Sequence, residues 1–80
     1  MTLLNKYAST IHGLCDKHKV NNMYAFGSVL TDNFNAKSDI DFIVDFESIE
    51  LESYADNYFG LKFSLEDLFK RPVDLIEAKA

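Results

Sequence analysis

The sequence of 80 residues contains one cysteine, Cys15, one proline, Pro72, three glycines and no tryptophan. A lone cysteine excludes an internal disulfide and a cysteine-based zinc cage. So little proline and glycine leaves no flexible linker, and no repeat or low-complexity tract divides the chain. No apolar run approaches the roughly 20 residues that span a bilayer. The N-terminal segment carries Asn5, Lys6, Ser9 and Thr10 where a signal peptide would be apolar, so the expected location is the cytoplasm. Positive charge is scarce as well: eight Lys and Arg against thirteen Asp and Glu give a net charge of −5. That balance argues against broad binding to duplex nucleic acid, where clustered positive charge is rewarded. It also argues against an anionic membrane surface.

What is present is a core-forming composition, with 48% hydrophobic and 14% aromatic residues. This is enough for one hydrophobic core and one domain over residues 1–80. The patterning suggests the order helix, strand, helix, strand, helix, strand. Leu3, Leu4, Tyr7, Ala8, Ile11, Leu14 and Cys15 recur at spacings of three and four, which predicts a first helix with Thr2 as N-cap. Lys17, His18 and Lys19 suit the negative end of that helix, and Asn21-Asn22 suits the turn after it. Met23–Phe26 predicts a short strand entering Gly27-Ser28, followed by a connection over Val29–Ser38 that opens with a helical turn.

Asp39–Glu47 carries the clearest strand signal. Ile40, Phe42, Val44 and Phe46 share one face, while Asp39, Asp41, Ile43, Asp45 and Glu47 share the other. Leu51, Tyr54, Ala55, Tyr58, Phe59, Leu65, Leu68 and Phe69 predict a long amphipathic helix, closed by Lys70-Arg71 and Pro72. Its aromatics, with Phe63, are expected mainly in the core. Val73–Ile76 predicts a last strand. Such alternation implies an α/β sandwich with a small sheet and helices packed on one face.

Asp39 and Asp41 stand two apart on a strand and therefore project from one face. Two carboxylates so close repel, and a divalent cation is the usual counterweight. Magnesium favours carboxylate oxygens and is often shared with substrate phosphates. Asp74 joins them if its strand pairs beside Asp39–Glu47. Upstream, a strand running into Gly27-Ser28 offers backbone N–H groups and a hydroxyl suited to phosphate. Asp45 and Glu47 are expected to be solvent-facing charge, and His12 and His18 helix-surface or helix-end residues. Cys15 is expected as a small core residue.

Gly27-Ser28, ten residues, then Asp39-Ile40-Asp41 resembles the G-S-x10-D-x-D signature of the DNA polymerase beta nucleotidyltransferase superfamily. With Arg71-Pro72-Val73-Asp74-Leu75-Ile76 and the small size, the chain looks like the minimal nucleotidyltransferase (MNT) branch, over about Tyr24–Ile76. The resemblance implies an α/β (α+β) nucleotidyltransferase-like fold, a small mixed sheet of three or four strands with helices mainly on one face. It implies transfer of AMP from ATP to an acceptor hydroxyl, with two Mg2+ ions held by Asp39, Asp41 and Asp74. Asp74 would also help to deprotonate the acceptor, and Gly27 and Ser28 would bind the triphosphate. It further implies a HEPN-type toxin as partner, with this chain as antitoxin modifying a toxin tyrosine. Many MNT proteins have Arg directly after the Gly-Ser pair. Val29 stands there, which leaves Lys37, Lys62, Lys70 and Arg71 as candidate triphosphate contacts. The rival reading is a binding module that neutralises its partner by occlusion. A third is an enzyme acting on a small molecule or a nucleic-acid end. Self-association to cover sheet edges is also compatible with the small size.

Overall fold

The fold is that of a computed structural model, which describes residues 2–27 and 39–78. Ser28, Val29, Lys37 and the rest of the 28–38 connection lie outside the described residues. The described chain runs α1 (Thr2–Lys6), α2 (Ala8–Lys17), β1 (Val20–Phe26), β2 (Ile40–Phe46), α3 (Leu51–Phe69) and β3 (Val73–Glu77). The three strands form one mixed sheet in the order β1-β2-β3, antiparallel between β1 and β2 and parallel between β2 and β3. This is the small α+β fold with a three-stranded mixed sheet that the family resemblance implies. No described helix is long and apolar enough to cross a membrane.

The first helix departs from the continuous stripe expected. It is broken at Tyr7, whose backbone leaves the helical region at φ −106°, ψ 13°. Thr2 is the first residue of α1 and not a cap outside it. Tyr7 directs its ring edge-on to Phe69, with centroids 5.6 Å apart, a contact of the kind aromatic pairs prefer. The turn after α2 also differs. It is made by Lys19 at φ 58°, and Asn21-Asn22 lie within β1, where the register with β2 shifts between Val20 and Asn22. The extra residue of this bulge lets an Asn pair enter a strand where composition suggested a turn.

Burial alternates along β2 as its sequence dictates. Ile40, Phe42, Val44 and Phe46 are buried, joined by Val73 and Leu75 of β3 and Leu61, Leu65 and Phe69 of α3. The helices cover this face of the sheet. The other face, carrying Asp41, Ile43, Asp74 and Ile76, is open. Phe59 and Phe63 do not join the core. They stack on each other on the outer side of α3, 47% and 57% exposed. The apolar stripe of α3 is wider than the sheet it covers, and the residues in line with Leu61, Leu65 and Phe69 take the buried face. Tyr54 and Tyr58 are half-buried.

His18 is more deeply placed than a surface helix end. It is buried beside Gly60, and Asn57 Nδ2 of α3 donates to its carbonyl oxygen at 2.7 Å. Cys15 is half-buried and not in the core, and burial, then Asp16, pushes its thiol pKa up. Asp45 is half-buried, whereas Glu47 is exposed.

Alternation fixes which backbone groups face outward. Ile40 N–H donates to Pro72 O and Ala78 N–H donates to Val44 O, so Val73 and Leu75 turn theirs to the outer edge of β3. Side chains of α3 meet them. Val73 N–H donates to Glu66 Oε2 at 3.0 Å, Lys62 Nζ donates to Val73 O at 2.8 Å, and Tyr58 OH donates to Leu75 O. The β3 edge is thereby closed against further strands.

Candidate active site

The open face of the sheet positions the acidic residues. Because Ile40 and Phe42 point into the core, Asp39 and Asp41 project to the opposite side. Val73 and Leu75 are buried, so Asp74 projects to that side too. Asp41 and Asp74 are direct register partners across the parallel pair, on strands about 4.8 Å apart. On its other side Asp41 is paired with Phe26, the last residue of β1. A single row thus runs Phe26, Asp41, Asp74 across all three strands. Asp39 stands just before β2 and is exposed, as is Asp74, while Asp41 is half-buried between its neighbours.

Gly27 follows Phe26 with φ +80°, a backbone conformation that L side chains rarely adopt. A Cβ placed on it would lie 2.7 Å from Asp41 Oδ2. The glycine therefore answers two demands: it turns the chain out of β1, and it leaves room for the Asp41 carboxylate beside the backbone. Its spacing alone suggested a phosphate cradle. Its contact with Asp41 is tertiary and has no local sequence signal. Ser28 lies outside the described residues.

Carboxylates suit a hard divalent cation, and Gly27 leaves room for the Asp41 carboxylate beside the backbone. Among the described residues no group of three or more His, Cys, Asp or Glu is placed to hold a metal ion by itself. Asp41 and Asp74 sit side by side, and Asp39 flanks them at the strand entrance. Such an open set fits magnesium, which keeps several waters and takes oxygens from substrate phosphates as well as one or two carboxylates.

Two of the candidate triphosphate contacts are engaged elsewhere. Lys62 is held by Val73 O and Glu66 Oε2, the latter at 3.5 Å, and Lys70 by Asp67 at 3.3 Å. The next row along the sheet was not anticipated as part of a site. Tyr24, Ile43 and Ile76 are register partners on the open face, with Tyr24 60% exposed. Ile43, the one apolar residue among the acids of that strand face, was the available signal.

At the far end of the sheet Tyr54 donates its phenol to Glu77. Burial, then this bond, pushes the Tyr54 pKa up to about 12. The Glu66 carboxyl is held below its ordinary value, chiefly by the Val73 N–H it accepts.

Comparison with known proteins agrees with this fold. A solved structure described as that of a provisionally assigned minimal nucleotidyltransferase matches with a TM-score of 0.79 at 27% identity. The match covers 98% of this chain and 76% of that one. Among curated proteins no match is found. The family model of the nucleotidyltransferase domain matches residues 9–80, a span that takes in Gly27, Asp39, Asp41 and Asp74, and the chain belongs to that family.

Proposed function

We propose that this chain is a minimal nucleotidyltransferase that moves AMP from ATP to a hydroxyl, a tyrosine on a partner protein, and serves as the antitoxin of a HEPN-type toxin. The carrying observation is the row in which Gly27 admits the Asp41 carboxylate and Asp74 stands beside it. Asp39, Asp41 and Asp74 would hold Mg2+, which supplies charge neutralisation at the phosphates. The acceptor oxygen bonds to the α-phosphorus as the bond from that phosphorus to the bridging oxygen breaks, and pyrophosphate leaves. Asp74, exposed beside Asp41, takes the hydroxyl proton. Gly27, with Ser28, meets the triphosphate through backbone N–H groups. The apolar row Tyr24, Ile43, Ile76 supports a protein acceptor, because it offers a contact surface next to the carboxylates. The acidic charge of −5 suits a basic, RNA-cutting partner.

The test uses ATP labelled at the α-phosphate, Mg2+ and lysate of the native organism. Wild type is compared with an Asp39→Asn, Asp41→Asn double variant. Label on a protein band with wild type alone is the expected result. Label with both proteins, or with neither when a binding partner is present, contradicts transfer at this row. Val29 in place of the common Arg after Gly-Ser favours a second reading, neutralisation by occlusion. In that case the double variant still binds and still neutralises the partner.

A further inference from the structure

Every described aromatic outside β1 packs against another ring. The two on β1, Tyr24 and Phe26, pack against none among the described residues. Both project to the open face, since they pair with Ile43 and Asp41, while their neighbours Met23 and Ala25 pack toward the core. Tyr24 is the more exposed, at 60%. Exposure alone assigns nothing to a single aromatic, but the place of this one in the sheet does. It stands one row along the strands from Phe26, Asp41 and Asp74, about 7 Å away.

We infer that the Tyr24 ring is the platform on which the base of the nucleoside triphosphate stacks, with Phe26 under the sugar. The inference rests on the proposed nucleotidyl transfer and adds where the nucleoside lies. That transfer is an in-line displacement at the α-phosphorus, so the acceptor oxygen and the leaving pyrophosphate stand on opposite sides of it. Gly27 marks the pyrophosphate side, at the end of β1, and Asp74 the acceptor side, on β3, with Asp41 between them. The reaction axis therefore runs across the strands. The nucleoside, the third substituent of that phosphorus, must leave the axis sideways, along the strands. One way leads off the end of the sheet past Asp39. The other runs back over β1 and β2, and among the described residues only this way meets an aromatic face. Tyr24 is held there on a strand, with Ile43 beside it in register as an aliphatic bed. A ring with two side-chain torsions, mounted on a sheet, costs little entropy to order. The Ile76 end of the same row, next to Asp74 on β3, is left to the acceptor. Stacking tolerates any base, so Tyr24 fixes the place of the nucleoside and not the identity of its base.

The test is a titration of the full chain, followed by its amide resonances, with Mg2+-ATP and separately with Mg2+-tripolyphosphate, which has the phosphates and no nucleoside. Two variants accompany the wild type. Tyr24→Thr removes the ring and keeps a strand-forming residue, and Tyr24→Phe keeps the ring. Tyr24→Thr is expected to weaken ATP binding about tenfold or more and to bind tripolyphosphate as wild type does. Tyr24→Phe is expected to match wild type with both ligands. In wild type, the adenine protons of bound ATP are expected to show nuclear Overhauser contacts to the Tyr24 ring, and these decide the matter if Tyr24→Thr does not fold. Equal ATP affinity in Tyr24→Thr and wild type overturns the inference and leaves the transfer reading in place. So does a parallel loss of both ligands in Tyr24→Thr, or adenine contacts that fall elsewhere. Wild type that binds neither ligand removes the transfer reading itself, and this inference with it.

Discussion

A single methyl group at Gly27 separates two roles of that residue. The Gly27→Ala Cβ would sit 2.7 Å from Asp41 Oδ2, on a backbone at φ +80°. The backbone conformation costs about 1–2 kcal/mol for a non-glycine residue, which the fold should survive. The carboxylate must move. Gly27→Ala is therefore expected to remain folded and to lose nucleotidyl transfer nearly as fully as Asp41→Asn, read by circular dichroism and label transfer together. Gly60 gives a second case. Alanine there should gain about 1 kcal/mol of helix propensity, but its Cβ would lie 2.9 Å from Cε1 of the buried His18. Gly60→Ala is expected to lower the melting temperature in wild type and to raise it in a His18→Ala background, a coupling that a double-mutant cycle measures directly. At this scale the acids were legible. Their two-residue spacing on a strand fixes one shared face, whatever the rest of the molecule does. What Gly27 and Gly60 make room for was not legible, because Asp41 and His18 reach them only through the tertiary fold.

Among the elements, α3 both builds the core and closes the β3 edge. Glu66 accepts from Val73 N–H, and this holds its pKa low. A carboxyl with a lowered folded pKa stabilises above its unfolded value, and that contribution disappears as pH falls through the folded value. Glu66→Gln should flatten the acid limb of stability against pH, measured by denaturant midpoints between about pH 5 and pH 2. Tyr54 titrates in the opposite range. Its folded pKa of about 12 lies above the usual phenol value near 10, so its stabilisation is complete below about pH 10 and lost as pH rises through about 12. Tyr54→Phe is expected to lose less stability than wild type over that interval. Equal losses would show that the phenol–carboxylate pair contributes nothing. Element type and order followed from period alone for β2, α3 and β3. The boundaries of β1 did not, since a bulge can carry Asn21-Asn22 inside a strand. Nor did the placement of Phe59 and Phe63, since helical spacing marks a stripe but not how much of it the sheet can cover.

The whole molecule rests on a small core. Among the described residues nine hydrophobic side chains are buried, Leu61 and Leu65 with no exposed surface. A chain this short has about 4–12 kcal/mol of net stability at the usual per-residue scale, and Leu→Ala in a core costs about 2–5 kcal/mol. Leu65→Ala should thus unfold a substantial fraction of the protein at 37 °C, seen as loss of near-UV signal. Substitutions at Asp39 or Asp74, both exposed, should leave the melting temperature nearly unchanged. That contrast lets function be tested without disturbing the fold.

The central claim is that Gly27, Asp41 and Asp74 mark where a metal-bound nucleotide sits. Nuclear magnetic resonance of the isotopically labelled chain with ATP and a trace of Mn2+ tests it most directly, since the ion broadens nearby amides and needs no acceptor. The account predicts broadening centred on Phe26–Gly27, Ile40–Asp41 and Val73–Asp74, sparing the N-terminal turns of α3, and abolished by Asp41→Asn. Broadening spread over the acidic surface, or centred elsewhere and unchanged in Asp41→Asn, would contradict it.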